Sequence, residues 1–240
     1  MENTTYIALS RQNALRRQLD VVANNIANMN TTGFKQQRMQ FTEFLMRPGM
    51  HEQASFVQDR AVVRDLAAGG MTSTGNPLDA ALNGPGYFTV DTASGRRYTR
   101  NGSFHMDDQR QLVDGNGLPV LADNGQAITI PAGTANVEIK ADGTITTELG
   151  PVARLNLVTF EREQLMVEVG NGLYVSDEEP QPAPETTKVA QGLLEQSNVK
   201  PVVEMTQMIE ISRQYQQAQK MIENEHERIR SVIQRLSRTA

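Results

Sequence analysis

The stretch LDVVANNIANMNTTGFK, residues 19–35, decides how the first part of this chain folds. Its apolar residues recur every three or four positions, at Leu19, Val22, Ile26 and Met29. This spacing places them on one face of a helix. Asparagines fill many of the positions between them, although asparagine is a mediocre helix former. The sequence therefore predicts a helix with an asparagine-rich face, and helix propensity does not explain why asparagines occur there.

The same spacing continues toward the N-terminus and forms a heptad pattern. Leu15 extends the apolar seam, and Ala8 lies further upstream, so the pattern predicts a helix from about Thr4 to Met29. The sequence Asn-Thr-Thr-Gly at residues 30–33 is predicted to end that helix. Gly33 is suited to the left-handed backbone conformation that commonly follows a helix.

The C-terminal segment carries a second heptad seam. Starting near Val202, after Pro201, the pattern predicts a helix of about 35 residues, roughly 50 Å long. If residues 192–199 belonged to it, Pro201 would be a kink. The seam consists of Met208, Ile211, Tyr215, Ala218, Ile222, Ile229, Val232 and Leu236, with Glu225 as its polar exception.

Such narrow apolar stripes are typical of helices that lie along other helices. We therefore expect the two terminal helices to pair and to pack against neighbouring copies of the chain. The asparagine face is interpreted as bonding to neighbouring subunits or lining a wet channel, with plain solvation as the alternative. The candidate subunit-packing residues are Leu15, Leu19, Val22, Asn24, Asn25, Ile26, Asn28, Met29, Met208, Ile211, Tyr215, Ala218 and Ile222.

The centre of the chain has an alternating pattern with a period of two, interrupted by glycine turns. Together these features predict an all-β domain over residues 77–175. Residues 1–33 and 192–240 are assigned to a helical, coiled-coil domain, and the fold class is α+β. Residues 34–76 are interpreted as an extended linker, and residues 176–191 as an acidic, proline-rich return linker. The predicted hairpin turns are Asn101-Gly102, Asp114–Gly117, Asn124-Gly125 and Asp142-Gly143.

Composition and charge limit the classes of function. The chain has 240 residues, no cysteine, and 38% hydrophobic residues. Residues 1–40 carry five basic and two acidic residues, residues 191–240 carry seven and six, and the middle carries 11 and 20. No dense basic stripe occurs, so a nucleic-acid partner is not expected. Neither a membrane-spanning run nor a cleavable signal peptide is recognisable in the sequence.

No residue pattern indicates catalysis. The histidines His51, His105 and His226 lack a partner at metal-binding spacing, and the acidic runs fall in a spacer and a predicted turn. The sequence therefore predicts no enzyme activity, cofactor, metal or small-molecule substrate. A periplasmic cell-wall-binding module is a second hypothesis, and it would need exposed aromatic residues. The candidates Tyr87, Phe88, Tyr98, Phe104, Phe160 and Tyr174 mostly fit core positions.

Four blocks of the sequence resemble the bacterial flagellar axial proteins, the basal-body rod and hook family. Residues 9–35 (LSRQNALRRQLDVVANNIANMNTTGFK) resemble the N-terminal signature of that family. Residues 75–90 (GNPLDAALNGPGYFTV) are similar to its segment that enters the β domain, and residues 98–121 resemble its characteristic hairpin region. Residues 193–222 match its C-terminal signature. The blocks cover nearly the whole chain in the family's order, and they depart from the commoner form at Pro85 and at residues 109–111, which affects only local turns.

The resemblance implies a structural subunit of the proximal rod, because the linker before Asn76-Pro77 is short. A distal-rod subunit is the alternative, and the hook protein is larger. Such proteins are exported unfolded by the flagellar type III apparatus, without a cleaved signal peptide. They polymerise with copies of themselves and other rod subunits into a helical tube in the periplasm that transmits torque. The resemblance also implies that the terminal helices surround the export channel and that the β domain lies outside.

Overall fold

The computed structural model describes residues 2–49, 52–134 and 136–238. Within these ranges the chain forms two α-helices, α1 over Glu2–Ala27 and α2 over Pro201–Arg238. The predicted α+β fold, with a helix near each end and a mostly β central region, is confirmed. No helix in the described part of the chain is both long enough and apolar enough to span a membrane.

The chain divides into two compact units that interleave along the sequence. Unit 1 comprises Met1–Ala27, Gln37–Asp65 and Lys200–Ala240. Unit 2 comprises Asn28–Gln36 and Leu66–Val199. The polypeptide thus passes from one unit to the other several times. The sequence analysis had instead expected contiguous linkers between the helical segments and the β domain.

Between the two helices, the described residues form seventeen β-strands connected by turns and loops. A 3₁₀ turn covers Glu163–Leu165 in the same region. In chain order the strands are β1 Gln37–Gly49, β2 Glu52–Arg64, β3 Met71–Ser73, β4 Ala80–Asn83, β5 Tyr87–Thr92, β6 Gly95–Thr99, β7 His105–Met106, β8 Leu112–Val113, β9 Val137–Ile139, β10 Thr144–Thr147, β11 Gly150–Arg154, β12 Leu157–Thr159, β13 Val167–Gly170, β14 Leu173–Val175, β15 Gln181–Pro182, β16 Lys188–Gln191 and β17 Leu193–Glu195.

The region interpreted as an extended linker, residues 34–76, contains a long antiparallel hairpin. Strands β1 and β2 have 13 residues each and pair from Gln37↔Arg64 up to Gly49↔Glu52, with a bulge after Gln40. The sequence analysis interpreted these residues as a linker and missed the pairing of the two strands. An isolated two-stranded hairpin is only marginally stable in water, because it depends on packing against other elements. Its own residues therefore give only a weak sequence signal.

The chain near α2 also differs in detail from the sequence reading. Residues 193–195 form strand β17, which pairs with β3, so they do not extend the helix. Pro201 is the first residue of α2, where its missing N–H group leaves no hydrogen bond unmade. The expected return linker, residues 176–191, contains β15 and β16, and β16 pairs with β4.

Unit 2 is built on a six-stranded antiparallel sheet. Its strand order is β13-β14-β6-β5-β12-β15. A three-stranded sheet, β11-β10-β9, and several two-stranded ladders complete the unit. Apolar side chains from these elements form one main core, in which the rings of Phe88 and Phe104 meet edge to face at 5.0 Å. Other fully buried members are Ala80, Leu82, Val90, Leu112, Val120, Ile128 and Ile145.

A smaller core in unit 2 is mainly aromatic. Tyr87, Tyr98, Phe160 and Tyr174 pack with Val158 and Met166, and their rings meet edge to face. All six aromatic candidates for a wall-binding surface are buried, counting Phe88 and Phe104 of the main core. Burial of these aromatic side chains removes the exposed rings that the cell-wall hypothesis requires.

Most of the predicted glycine turns adopt the expected backbone. Gly33 has a φ of +71°, and Gly117, Gly125 and Gly143 also have positive φ values. Gly102 is different, because its φ is not positive and a Cβ there would lie 1.6 Å from the Ala80 carbonyl oxygen. Gly102 is needed for a close backbone approach rather than for a left-handed turn.

The turn at residues 109–111 is one of the two places where the sequence departs from the family form that it resembles. Arg110 takes the left-handed conformation there, with a φ of +60°. Its guanidinium donates to the carbonyl oxygens of Ile130 and Pro131, both at 2.9 Å. The Asp107 carboxylate accepts from the backbone N–H groups of Gln109 and Gln111 at 2.9 and 2.8 Å. These hydrogen bonds offset the strain of a non-glycine residue at positive φ.

Candidate functional site

The two terminal helices bury one apolar seam within unit 1. Leu15 and Val22 of α1 and Ile211 and Ala218 of α2 are buried in a single cluster. Partly buried residues pack against it, namely Leu19, Ile26, Met208 and Tyr215. These eight residues are among those that the heptad spacing selected.

Asn25 joins the end of α1 to two other elements of unit 1. Its side-chain amide donates to the carbonyl oxygen of Gln37 at 2.8 Å and accepts from the N–H of Gln37 at 2.9 Å. The same amide donates to the Glu204 carboxylate near the start of α2, at 2.9 Å. Since the end of α1 meets the beginning of α2, the helices run antiparallel. Asn25 and Glu204 are both about 1% exposed.

The other candidate residues are less central to the seam. Asn24 donates to the Gln37 side chain at 3.4 Å, and Asn28 accepts from Thr31 at 3.0 Å where α1 has ended. Ile222 is half-buried on α2. Met29 belongs to unit 2, where it lines a cavity of ≈ 260 Å³ together with Leu194. None of these contacts involves another copy of the chain, so the predicted packing between subunits stays a prediction.

A second apolar surface lies on α2. Val202, Met205 and Ile209 are 78%, 46% and 55% exposed, and their spacing places them on one helix face. We call these three residues the outer stripe. Ile209 and the buried Ile211 point about 200° apart around the helix, so the stripe faces away from the seam. On α1, Tyr6 and Leu9 are also exposed.

Unit 2 contains a buried ionic cluster that the sequence analysis missed. Glu195 Oε1 accepts from Lys35 Nζ at 2.7 Å and from the Gly69 N–H at 3.0 Å. Glu195 Oε2 accepts from Arg100 Nε and lies 3.0 Å from Arg100 Nη2. The side chains of Lys35, Arg100 and Glu195 are 4%, 6% and 1% exposed. Together with Asn198, these residues are called the Glu195 clasp.

The two cations of the clasp are also bound by carbonyl oxygens. Lys35 Nζ donates to Ala67 O at 2.9 Å, and Arg100 Nη1 donates to Gly84 O and Gly86 O at 2.9 and 2.6 Å. Burial alone would raise the pKa of Glu195. The positive charges of Arg100 and Lys35 and the hydrogen bonds from Lys35 and Gly69 outweigh that effect and lower the pKa. Glu195 is therefore held as a carboxylate at neutral pH.

Asn198 connects the same chain segments through neutral hydrogen bonds. Its Oδ1 accepts from the Gln36 N–H at 2.7 Å, and its Nδ2 donates to Ala67 O at 3.0 Å. The Gly33 N–H donates to Glu195 O at 2.7 Å. A Cβ on Gly69 would lie 1.9 Å from Gln196 O, so only glycine fits there.

Sequence reasoning could not find this clasp. Lys35, Arg100 and Glu195 are far apart along the chain, and each alone reads as an ordinary surface charge. The one local signal was Gly33, which the helix-end pattern identified. Long-range pairing of this kind becomes visible only when the fold brings the segments together.

The residues rejected as catalytic or metal-binding candidates do not form a site. Among the described residues, no group of three acidic, histidine or cysteine side chains is arranged to hold a metal ion. His51 lies outside the described residues. His105 is in β7 and His226 in α2.

The fold and the paired helices define the general class of this chain, an α+β protein whose terminal segments form an apolar packing surface. Comparison with known families then gives the specific class. Residues 6–35 match the family described as flagella basal body rod protein. Residues 81–147 match the D1 domain of the flagellar hook protein FlgE/F/G, and residues 190–235 match the C-terminal region of the flagellar basal body rod FlgEFG protein.

Individual relatives agree with these matches over nearly the full chain. The chain is 41% identical to the flagellar basal-body rod protein FlgF of Caulobacter vibrioides, over 99% of both chains. It is 34% identical to FlgF of Mesorhizobium japonicum over 90% of both chains. It is 30% identical to FlgG of Bacillus subtilis over 97% of this chain and 98% of the relative. The chain belongs to the flagellar basal-body rod protein family.

Family membership confirms several expectations from the sequence. The chain is a structural subunit of the flagellar basal-body rod, not an enzyme, and its place is the flagellar basal body. The predicted resemblance to the flagellar rod and hook family is confirmed, and the relatives at 41% and 34% identity are named FlgF.

Proposed function

We propose that this chain is a subunit of the proximal rod, polymerising with copies of itself and with other rod subunits into a helical tube. The tube transmits torque and encloses the export channel. In this proposal the subunit crosses to the periplasm through the flagellar type III export apparatus. In the family that the sequence resembles, FlgF is the proximal-rod protein. The relatives named FlgF, at 41% and 34% identity, therefore support the proximal rod over the distal-rod alternative.

The outer stripe of α2 is the observation that carries the proposal. The seam already occupies one face of α2, yet Val202, Met205 and Ile209 leave a second apolar face open. Contiguous exposed apolar surface marks an interaction site. A helix with apolar residues on two faces can pack on its own partner and on a neighbour, as helices in a coiled-coil layer do.

The geometry of such contacts supports a rod rather than a closed ring. The seam is already filled within each subunit, so in this proposal the outer stripe of one subunit packs against a different, exposed surface of the next. The contact between copies is then heterologous. Heterologous contacts that are repeated by a rotation that does not close produce an open helix. The terminal helices of successive subunits then form the inner layer of the tube.

Substitution of Ile209 by aspartate tests the proposal. Ile209 is 55% exposed, so Ile209→Asp is expected to leave the subunit folded while placing a charge in the subunit contact. In cells that lack the native protein, the variant should fail to restore motility and should be absent from purified basal bodies. Subunit solubility and secondary structure, followed by circular dichroism, should stay at wild-type values.

Gln217→Asp is the matched control. Gln217 is exposed on the same helix but lies off both the seam and the outer stripe. We expect this variant to assemble and to support motility. Normal incorporation of Ile209→Asp into basal bodies would contradict the proposed role of the outer stripe.

A further inference from the structure

The Glu195 clasp gathers the segments of unit 2 that lead to the terminal helices. Residues 28–36 follow α1, and residues 193–199 precede α2. The clasp holds these segments side by side, because Gly33 bonds to Glu195 and Gln36 bonds to Asn198. Gly69, which follows the β1–β2 hairpin in the sequence, donates to the same carboxylate. Three distant stretches of chain therefore meet at one buried side chain.

Arg100 connects these stretches to the framework of the β unit. Its side chain bonds to Glu195 and to the carbonyl oxygens of Gly84 and Gly86, and its backbone directly follows β6 of the six-stranded sheet. At Gly33 a Cβ would lie 2.7 Å from the Arg100 carbonyl carbon, so the segment after α1 lies directly on this residue. Charged hydrogen bonds buried to this degree are strong when every partner is present.

We propose that the Glu195 clasp is a preorganising joint, which closes when unit 2 folds and holds the starting points of both terminal helices together before the helices pair. This inference rests on the proposed assembly function. Long amphipathic helices without enough partners are marginal in water, so we expect α1 and α2 to be largely unfolded in the free monomer. The clasp does not depend on them, because its members lie within unit 2.

The joint lowers the entropic cost of bringing the two helices together. Without the clasp, and before the β1–β2 hairpin of unit 1 forms, the β3–β17 ladder still ties residues 71–73 to 193–195, which leaves an effective loop of about 50 residues between the helices. With the clasp closed, that loop shrinks to about 12 residues. The logarithmic law for loop closure converts this difference into roughly a tenfold gain in effective concentration.

Hydrogen–deuterium exchange on the full-length monomer tests the order of events. In the wild type the amides of Gly33, Gln36 and Gly69 should be protected while the amides of α1 and α2 exchange rapidly. In Glu195→Gln these three amides should lose protection by roughly tenfold or more, because a neutral amide cannot hold both buried cations. The amides of β5 and β6 should keep wild-type protection.

Self-association measured by sedimentation tests the consequence. Glu195→Gln should need roughly a tenfold higher concentration to associate. Glu185→Gln, a charge removal at an exposed position of unit 2, is the matched control and should behave as wild type. If Glu195→Gln does not fold, Asn198→Ala replaces it, since that variant keeps all the charges and removes the side-chain hydrogen bonds to Gln36 and Ala67.

Two results would overturn the proposal. The first is rapid exchange at Gly33, Gln36 and Gly69 in the wild-type monomer, which would show that the clasp forms only after assembly. The second is an opened clasp with unchanged association. Failure of the proposed function would look different, because Ile209→Asp would then assemble normally while the clasp amides stayed protected.

Discussion

At the scale of single residues, Asn25 explains why an asparagine-rich stretch can end a helix. Its amide makes two hydrogen bonds with the backbone of Gln37, as a paired strand residue would, and a third with Glu204. An apolar residue there would leave three buried polar groups without these partners. The Asn28 side chain accepts a hydrogen bond in the turn that follows α1. Both asparagines therefore make hydrogen bonds within the chain, and contacts with a neighbouring subunit are not needed to explain them.

Glu195 gives unit 2 a predictable response to acid. Because its folded pKa lies below the ordinary glutamate value, its contribution to stability is fully present above that value. The contribution is lost as the pH falls through the lower folded pKa. We expect the free energy of unfolding to decrease as the pH drops below about 4. Urea unfolding at a series of pH values, followed by tyrosine fluorescence, measures this slope.

The variant Glu195→Gln removes the titrating group and should flatten the slope in the same acidic window. Glu185→Gln keeps the clasp intact and should retain the wild-type slope. An equal slope in the wild type and in Glu195→Gln would show that Glu195 does not couple folding to protonation.

Single residues also show what the sequence could and could not reveal. Gly33, Gly125 and Gly143 were predictable, since a turn needs a positive φ and neighbouring residues mark the turn. Gly102 was placed in a turn for the wrong reason, because its role depends on Ala80, which approaches from another strand. The charges of the clasp carry no local pattern, and their pairing depends entirely on tertiary structure.

At the scale of elements, the seam between α1 and α2 makes a definite prediction for Val22. The residue is 4% exposed in the apolar cluster, so Val22→Asp loses a burial worth about 1.5–3 kcal/mol and adds a charge. We expect assembly to fail while the β unit stays folded, because the helices can no longer pair when subunits meet. Incorporation into basal bodies measures assembly, and amide exchange of the monomer measures the folding of the β unit.

Ala23→Asp is the control for that substitution. Ala23 is the next residue and is exposed, so a carboxylate there meets water. Its helix content and assembly should remain close to wild type. Rods built normally from Val22→Asp subunits would show that the seam is not needed for packing.

The sequence predicted the elements whose apolar residues recur with a clear period. Both helices follow a heptad pattern that local residues define, and eight seam positions lie in the observed cluster. The β1–β2 hairpin was missed because its strands are stabilised by pairing with each other, from Gln37↔Arg64 onward, and by contacts elsewhere in unit 1. The sequence did not decide whether α2 begins at Pro201 or further upstream. Proline is compatible with a kink inside a helix as well as with the first helical turn.

At the scale of the whole molecule, the chain places its terminal helices in one unit and most of its β structure in the other. The segments at both ends of the sequence belong to one unit, while most of the β structure is inserted between them. The buried polar residues Asn25 and Glu195 each gather chain segments within their own unit. In the proposed assembly the β unit folds on its own, while the terminal helices complete their packing with other copies.

An image reconstruction of the assembled rod, with density for side chains, would show the packing of the helices between subunits. We expect an open helical array in which Val202, Met205 and Ile209 of each subunit are buried against helices of its neighbours. Leu15 and Ile211 should remain packed together inside each subunit. A closed ring of subunits, or an outer stripe that faces solvent in the assembled rod, would rule out the proposed packing.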